Sequence, residues 1–162
     1  MSQLGMKRRF GVTTSLCAGA FALIALVAGL TLPMGRANAA DDGFMVVVNA
    51  SNSVSQLRLQ EVSNFFLKKS GSWKDGSKAM PVDLSAPAAV RESFCRTVHN
   101  RGSAAVKSYW QQMIFSGREV PPVEKTSVSD VLAFVRANRG GIGYVPAGTA
   151  LSGGVKAIEV TP

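Results

Sequence analysis

Few residues in this chain could carry chemistry by side-chain type. His99 is the only histidine, and the two cysteines, Cys17 and Cys95, stand far apart. One His and one downstream Cys cannot supply the four N or S ligands of a structural zinc site. A nucleophile–base–acid triad needs a carboxylate to orient the base, and none is spaced to serve His99. Acidic residues are scattered, with Asp41 and Asp42 the one adjacent pair. The pattern argues against an enzyme, and it calls for no cofactor and no metal. His99 reads instead as an exposed cap at a helix C-terminus, where the dipole favours a cation. Cys95, between Phe94 and Val98, reads as a small buried apolar residue.

What remains is binding chemistry, and two stretches offer it. Residues 81–94 read PVDLSAPAAVRESF. A strand enters a small-residue loop and a helix opens at Pro87. Such a corner points unpaired backbone N–H groups, here those of Ala88, Ala89 and Val90, at whatever lies above it. Ser85 and Arg91 are the polar side chains nearest to it. The second stretch is the loop NASNSVS after the first strand. It offers Ser51, Asn52 and Ser53 at the carboxyl end of a strand, where open α/β sheets bind ligands. The competing role of these short polar groups is to satisfy turn backbone. Lys68, Lys69 and Lys74 around Trp73 read as a solvated loop.

The elements that must hold these groups follow from the apolar pattern. FMVVVN, residues 44–49, is a continuous β-branched run, a strand covered on both faces as in a mixed or parallel sheet. Leu59, Val62 and Phe66 recur at helical spacing, so a helix is expected over 58–67. AMPVDL is a short strand. Helices follow at 87–99 and 104–115, the first ended by Gly102 in a left-handed cap and the second N-capped by Ser103. SGREVPPVEK reads as irregular, because Pro121 and Pro122 exclude a helix. SVSDVLAFVRAN is a helix with Val131, Phe134 and Val135 inward. IGYV and VKAIEV are strands. The order β-α-β-α-α-α-β-β predicts an α/β three-layer sandwich with a small, mostly parallel sheet.

The first 39 residues have a separate role. Lys7, Arg8 and Arg9 precede an uncharged apolar run from Phe10 to Leu32, and RANA follows at 36–39. That is a secretory signal peptide with cleavage expected after Ala39. Removing 39 of 162 residues leaves 123, a single domain at 40–162. Four of the 18 basic residues leave with the leader and all ten acids stay, so the net charge falls from +8 to +4. No basic stripe interleaved with aromatics is present, so no nucleic-acid partner is expected. Only Cys95 survives, which leaves no intramolecular disulfide, and the location expected is periplasmic.

A set of ordered words carries a resemblance. FFLKKSGSWKDGSKAMPVDL, RESF, VKSYWQQMIFSGREVPP and GGIGYVP resemble successive segments of the phosphate-type solute-binding proteins of ABC transporters. The likeness runs from about Val46 to Val145. It implies a periplasmic-binding-protein-like fold. Those proteins close two lobes over an anion, and this chain resembles one lobe only. In the family, the stretch matching residues 81–94 carries an Arg soon after the strand and Ser-Gly-Thr at the helix start, and these contact phosphate. Aligned without gaps, those positions are Leu84, Ala88, Ala89 and Val90. Three side-chain partners are therefore replaced, at roughly 1.5–3 kcal/mol each. Backbone N–H groups with Ser85 and Arg91 remain as donors. The resemblance implies phosphate or a related oxyanion as ligand, and an ABC transporter permease or other envelope protein as partner. The alternative is an accessory module that binds a protein partner, or itself as a homodimer, through the face of the absent lobe.

Overall fold

The computed structural model describes residues 43–85 and 88–162, with only the backbone of Ala88. The leader and the helix opening at Pro87 lie outside the described residues. The elements are β1 (Phe44–Asn49), β2 (Gln56–Arg58), α1 (Leu59–Phe66), β3 (Met80–Leu84), α2 (Ala88–His99), α3 (Ser103–Phe115), β4 (Val123–Lys125), α4 (Val128–Ala137), β5 (Gly141–Pro146) and β6 (Val155–Thr161). One six-stranded sheet runs in the order β2-β6-β1-β5-β3-β4. The pairs β2–β6, β3–β4 and β3–β5 are parallel, while β1 is antiparallel to both β5 and β6. The sheet is thus mixed, with parallel pairs in the majority.

Residue alternation along β1 and β5 divides the core into two layers. Val46 pairs with Tyr144 and Val47 with Gly143. On one face, Tyr144 stacks on Phe94 of α2 with ring centroids 3.9 Å apart, and Phe44 and Phe66 meet Phe94 edge-on at 5.2 and 4.8 Å. On the other face, α4 lies directly on Gly143. A Cβ there would stand 2.9 Å from the side chains of Val131 and Val82, so only glycine lets the helix approach this closely. Val46, Val47 and Val48 are buried together, which accounts for the unbroken apolar run in β1. Gly140 marks a second close approach, since a Cβ would fall 1.9 Å from the Lys78 carbonyl. The buried Trp73 donates its indole N–H to Gly140 O at 3.1 Å.

Several expectations need correction. The helix expected over 58–67 is preceded by strand β2, and β4 interrupts the segment expected to be irregular. Both are three-residue edge strands held by long-range pairing. Gly102 sits at φ −69° and is the N-cap of α3, while the left-handed residue ending α2 is Asn100 at φ 53°. Ser103 is the first residue of α3, not its cap. Its N–H and hydroxyl both donate to Glu92, at 2.8 and 2.5 Å, so a carboxylate from α2 terminates α3. These bonds, with Arg96 as a further partner, hold the Glu92 carboxyl down to about 2.

His99 is not an exposed cap. Its Nδ1 lies 2.9 Å from Ser63 Oγ on α1, and its ring stands edge-on to Phe94. Burial, aided by the charges of Arg101 and Lys69, lowers its pKa to about 4. The unfolded chain, with an ordinary imidazole near 6.5, binds the extra proton first. The stability contributed by neutral His99 is therefore present above pH 6.5 and is lost as pH falls toward 4. Urea denaturation at pH 7 and pH 4.5 is expected to show a loss of about 2 kcal/mol beyond that of a His99→Phe variant. Parallel pH profiles for the two proteins would refute this assignment.

Candidate functional site

Strand direction decides which candidate residues can meet. β3 runs parallel to β5, and β1 runs antiparallel to it. The carboxyl ends of β1 and β3 therefore lie at opposite ends of the sheet. Ser51, Asn52 and Ser53 therefore lie at the opposite end of the sheet from Ser85 and Ala88–Arg91, and the two sets are separate candidates. The loop after β1 is organised around its own backbone. Asn49 donates from Nδ2 to the carbonyls of Val135 and Arg136 at 3.0 and 2.9 Å, capping the end of α4, and accepts from Ser51 N–H at 2.9 Å. Buried Asn52 accepts from Val54 N–H at 3.0 Å, and its carbonyl accepts from Lys156 Nζ at 2.6 Å. Ser51 and Ser53 are exposed.

The corner after β3 is built on a charge cluster. Asp83 and Glu124 are register partners in the parallel β3–β4 pair, so two carboxylates stand side by side on the α2 face of the sheet. Like charges so placed repel. Arg91, one turn into α2, resolves this. Its Nη2 donates to Asp83 Oδ2 at 2.7 Å and to Glu124 Oε1 at 2.8 Å. The Tyr144 hydroxyl, reaching up from β5, meets Asp83 Oδ1 and also lies 3.0 Å from Leu84 O. Burial pushes the Asp83 carboxyl up, and the Tyr144 bond and the Arg91 charge offset part of that. Burial beside Asp83 pushes the Tyr144 hydroxyl far up as well, so it stays a neutral donor. Burial is also the main reason that the Cys95 thiol is raised to about 11, and Cys95 is buried as expected.

Ser85 and part of Arg91 are thus engaged within the protein. Ser85 donates both its N–H and its hydroxyl to Lys125 O, at 2.9 and 3.2 Å. Two of the five Arg91 donors serve the carboxylates, leaving three without a partner among the described residues. Val90 is buried and Ala89 exposed. Above the corner opens a cavity of about 530 Å³. Its walls are Ser85, Arg91 and Glu124 on one side and Ser103, Ala104, Lys107, Trp110, Gln111 and Ile114 of α3 on the other, with Pro121. The α3 residues recur at helical spacing, a pattern visible in the sequence.

Next to the cavity the surface turns apolar. Phe115 is 89% exposed, and Ile114, Val120 and Val123 are each about half exposed. They lie at the end of α3, in the segment before β4 and on β4 itself, an edge strand of the sheet.

No protein-family model matches the sequence, and no curated protein matches it with significance. Solved structures do share the fold. An ABC-type phosphate transport receptor from Vibrio cholerae superposes with a TM-score of 0.56 at 22% identity, over 73% of this chain and 46% of the other. A candidate phosphate ABC transporter substrate-binding protein with bound phosphate, from Clostridium perfringens, gives 0.57 at 17% identity over 73% and 44%. A candidate phosphate-binding protein from Planctomyces limnophilus gives 0.53 at 14% identity over 74% and 41%. The chain therefore spans less than half the length of each of these proteins, and its fold is that of a part of them.

Proposed function

We propose that this chain is an exported, non-catalytic binding domain on a phosphate-receptor-type fold, with phosphate or a related oxyanion as its ligand. The observation that carries the reading is the cavity at the carboxyl end of β3, edged by Arg91 and Lys107. The fold likeness to structures described as phosphate-binding supports the ligand class. On the family resemblance, the positions expected to contact phosphate fall on Leu84, Ala88, Ala89 and Val90, none of which carries a polar side chain. Asp83 and Glu124 also leave the cluster around Arg91 with net negative charge, which opposes a dianion. Binding should consequently be weak. Among the described residues no helix is long and apolar enough to cross a membrane. Export rests on the leader and its RANA site.

Calorimetric titration of phosphate into the purified protein at low salt, with sulfate as control, tests the reading. Saturable binding with a Kd on the order of 0.1–1 mM is expected, about −4 to −5.5 kcal/mol. Absence of heat up to about 10 mM phosphate would refute oxyanion binding.

A second reading follows from the exposed Phe115, Ile114, Val120 and Val123. Large apolar side chains exposed near one another in this way suit a docking surface. The partner would be an envelope protein such as a transporter permease, or a second copy of the chain. Light scattering over a wide concentration range separates these, since a strict monomer excludes the homodimer.

A further inference from the structure

We infer that the cavity above β3 is built for an organic anion, with an acidic head and an apolar body, and that Lys107 is the residue that holds the head. The inference rests on the proposed anion-binding role of this cavity and names its ligand class.

The argument is an inventory of donors. Ser85 and Ser103 line the cavity, yet their N–H and hydroxyl groups already serve Lys125 O and Glu92. The Nη2 group of Arg91 bridges Asp83 and Glu124. Lys107 and Gln111 differ, for among the described residues neither side chain has a hydrogen-bond or ion-pair partner, and both face the cavity. They stand four residues apart, so they occupy one stripe of α3 on adjacent turns. An ammonium and an amide N–H₂ offered together suit a carboxylate or phosphoryl head, and Arg91 lines the same cavity.

The same stripe continues to Ile114. From residue 107 to residue 114 the helix rises about 10 Å. At that end the cavity wall is Ile114 with Pro121, beside the edge of the buried Trp110. A bare tetrahedral oxyanion reaches Lys107 and Gln111 but leaves this apolar wall in contact with water. A cavity of about 530 Å³ also falls within the range of small-molecule sites, where a few polar groups orient a mainly apolar ligand. Glu124 on the facing wall shares Arg91 with Asp83, and the net negative charge of that cluster disfavours a second acidic group on the ligand body.

The test compares phenyl phosphate, inorganic phosphate and phenol by calorimetry on the purified protein and three variants. Phenyl phosphate is expected to bind at least about tenfold tighter than inorganic phosphate, and phenol not measurably. Lys107→Gln should weaken phenyl phosphate about tenfold. Ile114→Asn should erase the advantage of phenyl phosphate and leave inorganic phosphate unchanged. Lys74→Gln, at an exposed lysine outside the cavity, should change nothing. Lys107 and Ile114 are exposed, so both variants should fold. Equal affinity for the two phosphates, or indifference to Lys107→Gln, would overturn the inference and leave the oxyanion reading standing. Binding of neither anion would overturn both.

Discussion

Replacing Arg91 with methionine is expected to destabilise the protein by about 3 kcal/mol, measured as a shift in the urea midpoint at constant slope. Among the described residues the guanidinium is the one cation paired with Asp83 and Glu124, at 2.7 and 2.8 Å, and its side chain is only 20% exposed. Without it, Asp83 is left as a desolvated carboxylate next to a second carboxylate. Removing one partner of a buried pair costs far more than the pair itself contributes. The Asp83→Asn, Arg91→Met double variant should therefore recover at least half of the loss, because an amide keeps an acceptor for the Tyr144 hydroxyl without the charge. A single-variant loss under about 1 kcal/mol, or no recovery in the double variant, would show that the cluster does not carry the corner. The result bears on ligand assays too. Weak phosphate binding by an Arg91 variant has to be read against its altered fold stability, whereas Lys107 variants are free of that ambiguity.

The second large effect is expected at Phe94. Its ring is fully buried and touches Phe44, Phe66, His99 and Tyr144, with centroids 3.9 to 5.4 Å away. Phe94→Ala should cost about 4 kcal/mol, from lost burial plus the cavity left beneath α2. Phe94→Leu should cost about 1 kcal/mol, since its volume is closer to that of the native ring. A domain with a total of about 5–15 kcal/mol can survive the first change only narrowly. The alanine variant carries a second readout. With the ring gone, water reaches His99, and its imidazole should titrate nearer its ordinary range in NMR. A small stability loss together with an unmoved His99 would mean that the sheet and the α1–α2 layer do not meet at Phe94.

How much of this was legible depended on how local each cause is. Continuous runs such as FMVVVN and GIGYVP announce covered strands, and SVSDVLAFVRAN carries its own N-cap, with Ser127 Oγ accepting from Asp130 N–H at 3.1 Å. The fold class and the succession of β3 and α2 followed from such signals. Strand direction did not. A covered strand reads the same whether parallel or antiparallel, so the placement of Ser51–Ser53 at the far end of the sheet was out of reach. QLR and VEK are too short and too polar to show alternation, and they are strands only because β6 and β3 supply partners. His99 was misread for a similar reason, since its partner Ser63 is 36 residues away. Arg91 was singled out from the sequence, and its side chain lines the cavity. That Asp83 and Glu124 would claim it required the β3–β4 register, which sets Glu124 beside Asp83 and within reach of Arg91, 33 residues away in sequence.

The reversed direction of β1 has one more effect. Because β1 is antiparallel to its neighbour β6, the start of β1 at Phe44 and the end of β6 at Thr161 emerge side by side, at the same end of the sheet as the β3 corner. Adjacent strands lie about 4.8 Å apart, so a few glycines would bridge from Thr161 to Gly43. The unit is thus topologically a closed loop that happens to be cut there. New ends could be opened in an exposed turn such as Asp75–Gly76 with the sheet order intact, and the whole could be spliced into a surface loop of another protein through that single narrow seam.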